Sequence, residues 1–392
     1  MIFVFDTYGE NGYVPNLVTR TDIVPRSDEW WNLAITPPYS YEFRLLRYLY
    51  TEGIRYRVEL VSTMTSTGET CVYPINLNYF DPAIDYLALM SEQARDLARK
   101  GQLTIVFYYS EGDDVDWHIS PRLEHMCSVH HIPRTQIRFI IANRAAGQDY
   151  LYVADDELYY RYINKDADFV KNINLGQRTK KFTCLNRIDK PFRRLFAATL
   201  VAEQLHTDAY FSYNDKRYAL EYPVGDTDVS QWSQHWDQTV LEVFNPPYRC
   251  DDLEDYQHNT HQIINHNFFQ DAYWNVIVET HIGQRTLFLT EKTFKPILNL
   301  QPFIVIGAPG SLQLLRDLGY QTFDKWIDES YDQILDAELR LKHCVQLVSN
   351  LHAMSHDQHQ QLMHQMQSVL LHNQTHFLSS KKDKLLALLD EI

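Results

Sequence analysis

Cysteine is scarce and scattered in this chain. Cys71, Cys127, Cys184, Cys250 and Cys344 lie far apart in 392 residues and are odd in number. That pattern argues against a disulfide scaffold, suits a reducing compartment and provides no paired-cysteine metal signature. A membrane-length apolar run is also missing, and the N-terminus opens on a short strand without a basic leader or cleavage site. The expectation is a cytoplasmic protein with no membrane insertion. Positive charge is in deficit, with 36 Lys and Arg against 51 Asp and Glu and a formal net charge of −15. This balance favours solubility and opposes non-specific attraction to nucleic acid or anionic lipid, while leaving room for a local basic patch.

The length exceeds that at which one core usually stops growing, so two domains of about 150 to 200 residues are expected. Strand and helix signals alternate in the first half. Residues 2–5 read as a first strand, 41–50 as a helix, 57–61 as a strand, and 83–100 as an amphipathic helix stopped by Gly101; 103–109 and 137–142 read as further strands. Such alternation predicts an α/β fold with a mostly parallel sheet covered by helices. The polar stretch 162–181, with Asn174-Leu175-Gly176 inside it, reads as the linker. The expected domains are 1–170, 171–340, and a C-terminal helical region 341–392.

The second domain opens with a strand at 181–186, followed by Arg187-Ile188-Asp189-Lys190-Pro191 and a helix from Phe192 towards Leu205. Pro191 suits a first helical turn, where its missing N–H is not needed. Arg187, Lys190 and the free helix-terminal amides would then gather round one point, as holding a diphosphate requires. A solvated helix start, with Arg187 and Arg193 in water, is the plain alternative. Further on, 275–280 reads as a strand carrying Glu279 and Thr280 to its C-terminal end. Thr290-Glu291-Lys292 heads a short helix bearing Ile297 and Leu298, and 303–306 is a buried strand ending at Gly307. In open α/β sheets ligands collect at those C-terminal strand ends.

Glu279, then Thr290-Glu291-Lys292, the helix and the strand up to Gly307 resemble the donor-binding part of the fucosyltransferase-like nucleotide-sugar glycosyltransferases. The resemblance covers roughly residues 180 to 330. It implies a GT-B architecture, two Rossmann-like domains facing across a cleft, with the last helices packing back on the first domain. Carried over by residue, it implies Glu279 at the donor sugar, Glu291 at a ribose or sugar hydroxyl, Lys292 at a phosphate, and the Asn186-Arg187 pair at the donor phosphates. Thr293-Phe294 replaces the usual Leu or Trp after the Glu-Lys pair, and Asn299-Leu300 stands where Gly or Ala is commoner. These departures bear on the donor's identity more than on the reaction class.

Transfer with inversion needs a carboxylate to deprotonate the acceptor hydroxyl. Glu111 leads, directly after the strand 103–109 in Ser110-Glu111-Gly112-Asp113, with Asp113, Asp116 and His118 beside it; Asp6, Glu10 and Asn11 after the first strand are second choices. A solvated acidic loop is the alternative for Glu111, and retaining enzymes of the same architecture need no such base. Asp226-Thr227-Asp228 matches a metal-holding pattern of another glycosyltransferase architecture, but three residues in an acidic chain match readily by chance. His352, His356 and His359 share i, i+4, i+7 spacing, and the expectation is a solvated helix face beside a packing stripe of Leu347, Leu351, Leu362, Met366 and Leu370. No metal and no tightly bound cofactor are expected.

The expected function is glycosyl transfer from a nucleoside-diphosphate sugar, the co-substrate, to a hydroxyl of a glycan or small molecule. A modified nucleic-acid base is an alternative acceptor, and a non-catalytic nucleotide-sugar-binding or structural protein is an alternative class.

Overall fold

The computed structural model describes residues 1–6, 44–64, 68–77, 80, 83–110, 112, 119–147, 149–164, 170–214, 236–250 and 265–392. The chain divides into two compact units: Met1–Tyr162 with Ser380–Ile392, and Ile163–Ser379. Each is a parallel sheet flanked by helices.

In the first unit the strands are β1 (Ile2–Phe5), β2 (Arg57–Leu60), β3 (Cys71–Leu77), β4 (Thr104–Tyr109), β5 (Ile137–Ile141) and β6 (Leu151–Tyr152), in the order β2-β1-β3-β4-β5-β6. Successive side chains of a strand point to opposite faces. Ile105, Phe107 and Tyr109 accordingly join one core with α2 (Glu92–Arg99) and α3 (Ile119–His130). Val106 and Tyr108 join the other with α1 (Arg44–Thr51), α4 (Asp155–Asn164) and α11 (Lys382–Asp390). Burial on both faces explains why β4 reads as a continuous apolar run. The chain's last helix is fixed to this unit by a buried ion pair, Lys381 Nζ to Glu157 at 3.0 Å.

Two expectations change here. The helix expected over 83–100 begins only after Ser91, whose hydroxyl accepts the Ala94 N–H as an N-cap. Its stop is as expected: Gly101 has φ +71, and its N–H and that of Gln102 close on Ala98 and Leu97. Strand β3 had no counterpart in the sequence reading. It contains Pro74, which usually marks an edge. Pairing with β1 ends at Val72 while pairing with β4 continues to Leu77, so among the described residues β3 has a ladder on one side only from Pro74 onward.

The second unit holds β7 (Lys180–Asn186), β8 (Ala209–Tyr213), β9 (Ala272–Val278) and β10 (Phe303–Ile306), ordered β10-β9-β7-β8. Its helices are α5 (Pro191–Ala202), α6 (His266–Gln270), α7 (Glu291–Leu298), α8 (Ser311–Leu318), α9 (Ala337–Ala353) and α10 (His356–Leu378). All of β9 and β10 is buried. In both sheets the unit's first strand lies between its second and third. The winding therefore reverses direction between β1 and β3, and again between β7 and β9; in doubly wound sheets the carboxyl end of that gap is where ligands bind. Among the described residues no helix is long and apolar enough to cross a membrane.

The histidine-rich helix α10 is packed differently from expectation. His359 is fully buried in the same stripe as Met363, Met366, Leu370 and Phe377. It stacks on Tyr273 at 5.0 Å and its Nε2 bonds the Leu351 carbonyl at 2.9 Å. Burial is the main reason its pKa falls to about 4. The imidazole is thus a neutral packing group, a role that helical spacing alone does not distinguish from a solvated one.

Candidate functional site

The gap between β7 and β9 is lined by two loops. The first runs from Arg187 to Lys190, after Asn186 ends β7, and enters α5 at Pro191 in its first turn. Asp189 braces it by accepting Tyr213 Oη at 2.5 Å and Arg194 Nε at 3.1 Å. The second begins at Glu279 directly after β9 and returns at Thr290, whose side chain caps α7 by accepting the Lys292 N–H.

Glu279 closes this second loop. Its Oε1 accepts the Thr290 N–H at 3.0 Å and Thr293 Oγ1 at 2.7 Å; its Oε2 accepts Thr290 Oγ1 at 2.6 Å and the Thr280 N–H at 3.2 Å. The residue is 0% exposed. No edge of the carboxylate is open to a sugar, and the geometry is that of a positioning group. Close approach of β10 completes the arrangement: a Cβ on Gly307 would meet Ser311 Oγ at 2.8 Å and Glu279 Cβ at 3.4 Å. Buried Arg340 ties the second loop to the end of β10 from behind, donating Nε to the Gly307 carbonyl at 3.0 Å and Nη2 to that of Ile282.

Cations meet on Thr280. Lys190 Nζ donates to its carbonyl at 2.8 Å, and Lys292 Nζ to its hydroxyl at 3.2 Å and to Thr290 Oγ1 at 2.9 Å. Arg193, buried inside α5, donates Nη2 to the Glu279 carbonyl at 2.8 Å and Nη1 to that of Ile188 at 3.3 Å. Its Nε is enclosed with no hydrogen-bond partner among the described residues, and burial lowers its pKa, with Glu279 the leading opposing charge. The carboxylates nearest Lys292 stand at 3.8 Å (Glu279) and 3.9 Å (Glu291). Lys295, one turn along α7, has its pKa lowered by burial, against the pull of Glu291 and with the repulsion of Lys292 and Arg187. Arg187 therefore belongs to the same electrostatic field. His281 is pushed down to about 3, first by burial and then by Lys190, Arg193 and Lys292.

Of the residues singled out from sequence, Arg187, Lys190, Glu279, Thr290, Glu291 and Lys292 gather round this one gap. Asn186 is buried beneath it, its Nδ2 on Cys184 Sγ at 3.3 Å. Arg193, which the plain alternative reading put in water, is instead buried at the centre. His281 and Lys295 escaped attention; the available signals were the position of His281 two residues past Glu279 and the one-turn spacing of Lys295 from Lys292.

In the first unit Asp6 lies at the corresponding gap, immediately after β1. Its carboxylate accepts Tyr73 Oη at 2.7 Å, the Ser91 N–H at 2.6 Å and the Ser91 hydroxyl, so it seats the start of α2. Asp155 escaped the sequence reading: it accepts Tyr48 Oη at 2.7 Å, Tyr108 Oη at 2.5 Å and Arg44 Nη1 at 2.5 Å, joining α1, β4 and α4. Glu111, Asp113, Asp116, His118, Glu10, Asn11 and the Asp226-Thr227-Asp228 triplet lie outside the described residues. Among the described residues no group of three or more His, Cys, Asp and Glu is placed to hold a metal ion.

No protein-family model matches the chain, and no curated protein matches it. Among solved structures it is similar to the crystal structure of an α1,3-fucosyltransferase, with 12% identity and a TM-score of 0.39 over 99% of this chain and 88% of that one.

Proposed function

We propose that the chain is a glycosyltransferase that moves a sugar from a nucleoside-diphosphate donor to an acceptor hydroxyl. The observation that carries this reading is the convergence of Lys190, Arg193 and Lys292 on the carboxyl end of the β7/β9 gap, bonded to neutral oxygens of Glu279, Thr280, Thr290 and Ile188. Glu279 and Glu291 stand 3.8 and 3.9 Å from Lys292, yet several cations converging on one gap suit a group that carries two or more negative charges, as a diphosphate does. The resemblance of Glu279 and Thr290-Glu291-Lys292 to fucosyltransferase-like donor sites narrows the anion to a nucleotide sugar.

In this reading Arg187, Lys190 and Lys292 bind the diphosphate, with Asn186 supporting the loop. Glu291 takes a ribose or sugar hydroxyl, while Glu279 and Thr290 hold the loop in shape. The acceptor oxygen attacks the anomeric carbon, the bond to the phosphate oxygen breaks, and the cations stabilise the charge left on the departing diphosphate. Glu111 takes the acceptor's proton, with Asp113 and Asp6 as the other candidates; a base in this role implies inversion. In this reading the first unit, Met1–Tyr162 with Ser380–Ile392, takes the acceptor and the second, Ile163–Ser379, the donor. Titrating the folded chain with UDP, GDP, CDP, dTDP and their sugars, then assaying release of the diphosphate, tests the reading. A saturable response to one nucleotide is expected; a folded chain indifferent to all of them would overturn it.

A further inference from the structure

We propose that His281 is a ligand-contacting residue of this site, its imidazole donating a ring N–H to an oxygen of the bound diphosphate group. The inference rests on the reading of the site as a nucleotide-sugar pocket and adds a specific donor to it.

Position is the first argument. His281 follows Thr280, the residue held by Lys190 through its carbonyl and by Lys292 through its hydroxyl. One cation thus holds the backbone and another the side chain of the residue next to the imidazole at the end of β9, where a diphosphate would lie between the starts of α5 and α7. Partnering is the second. The half-buried ring of His281 packs against Phe288 at 6.2 Å, and neither ring nitrogen makes a hydrogen bond among the described residues. The ring is only half-buried, so its nitrogens stay open to a ligand entering the gap.

The surrounding charges explain why a histidine suits the place. Lys190 and Arg193 at the start of α5 and Lys292 at the start of α7 face it, and the enclosed Glu279 stands two residues back on its own loop. With its pKa pushed down to about 3, His281 is neutral near pH 7. It supplies a directional donor without adding another charge to a site already crowded with cations. A diphosphate entering the site offsets those charges and raises the imidazole's pKa. Where pH lies between the free and bound values, binding takes up a proton, and affinity rises as pH falls.

The test is calorimetric titration of the full chain with UDP-glucose, UDP-N-acetylglucosamine, GDP-mannose and GDP-fucose, whose diphosphate diesters do not titrate in the working range. Measurements at about pH 5.5 and about pH 7.5, in buffers of different ionisation enthalpy, count protons taken up. His281→Phe is expected to weaken the nucleotide sugar that binds by roughly tenfold to a hundredfold, the scale of a hydrogen bond to a charged group. His281→Asn, which keeps a donor, should recover most of that affinity but lose the proton uptake seen in the wild type at the lower pH. If His281→Phe binds as tightly as the wild type with the same proton count, the role of His281 is overturned while the site reading stands. If the folded wild type binds none of the four, both fail together. Should His281→Phe not fold, the comparison of His281→Asn with the wild type decides: an unchanged proton count removes His281 from the site.

Discussion

The described residues at the carboxyl ends of the two sheets hold their charges in different ways on the same winding. In the first unit, two of the described carboxylates near that end are already matched to donors: Asp6 to Tyr73 and Ser91, Asp155 to Tyr48, Tyr108 and Arg44. In the second, Lys190, Arg193 and Lys292 rest on carbonyls and hydroxyls, and the central carboxylate, Glu279, is turned inward to hold the loop. A charge satisfied by an opposite charge is spent on structure. One oriented largely by neutral dipoles keeps more of its field for a ligand, and that difference is why we propose the second unit as the anion's site.

The comparison is broken most severely by removing its organiser. Glu279→Ala leaves the Thr290 N–H and the Thr293 hydroxyl buried without their acceptor and deprives three cations of a nearby negative charge. The expected cost is about 3 to 5 kcal/mol, read as a lower denaturant midpoint for the second unit; a midpoint equal to the wild type would remove Glu279 from its structural role. Next in size is the proposed base. Glu111→Gln should leave nucleotide affinity nearly intact while slowing transfer roughly 100-fold or more, measured in single-turnover assays once an acceptor is found. Wild-type turnover would move the search to Asp113 and Asp6.

A third test contrasts the two ends of the second sheet. His359, beside Tyr273 near the start of β9, is held neutral mainly by burial, with a pKa of about 4. An unfolded chain binds that proton near pH 6.5, so the stabilising contribution is complete above that pH and is lost as pH falls towards 4. The expected loss between pH 7 and pH 5 is about 2 kcal/mol, measured by denaturant unfolding at both values. His359→Phe should flatten the dependence by about that amount; an unchanged slope would mean that His359 is not the group responsible.

The parallel strands and the elements that carry the second unit's site were legible because β-branched and aromatic runs such as 104–109 and 303–306 have one reading at strand length, and Pro191 marks a helix start. Strand β3 was not legible, because Pro74 argues against a central strand until the early end of β1 pairing is known. The clustering of Lys190 and Lys292 followed from the rule for strand ends. Burial of Arg193, enclosure of Glu279 and the electrostatic surroundings of His281 depend on which loops meet across β7 and β9, which are far apart in sequence. For the same reason, spacing on one helix did not disclose that His359 faces Tyr273.

The most direct test of the central claim is calorimetric titration of the wild type and Lys292→Ala with UDP, GDP, CDP and dTDP at two salt concentrations. The account predicts saturable binding of at least one nucleotide, weakened by added salt and at least about tenfold weaker in the variant, as loss of a charge-assisted phosphate contact requires. Equal affinity in the two proteins, or no binding of any of the four by the folded wild type, would contradict it.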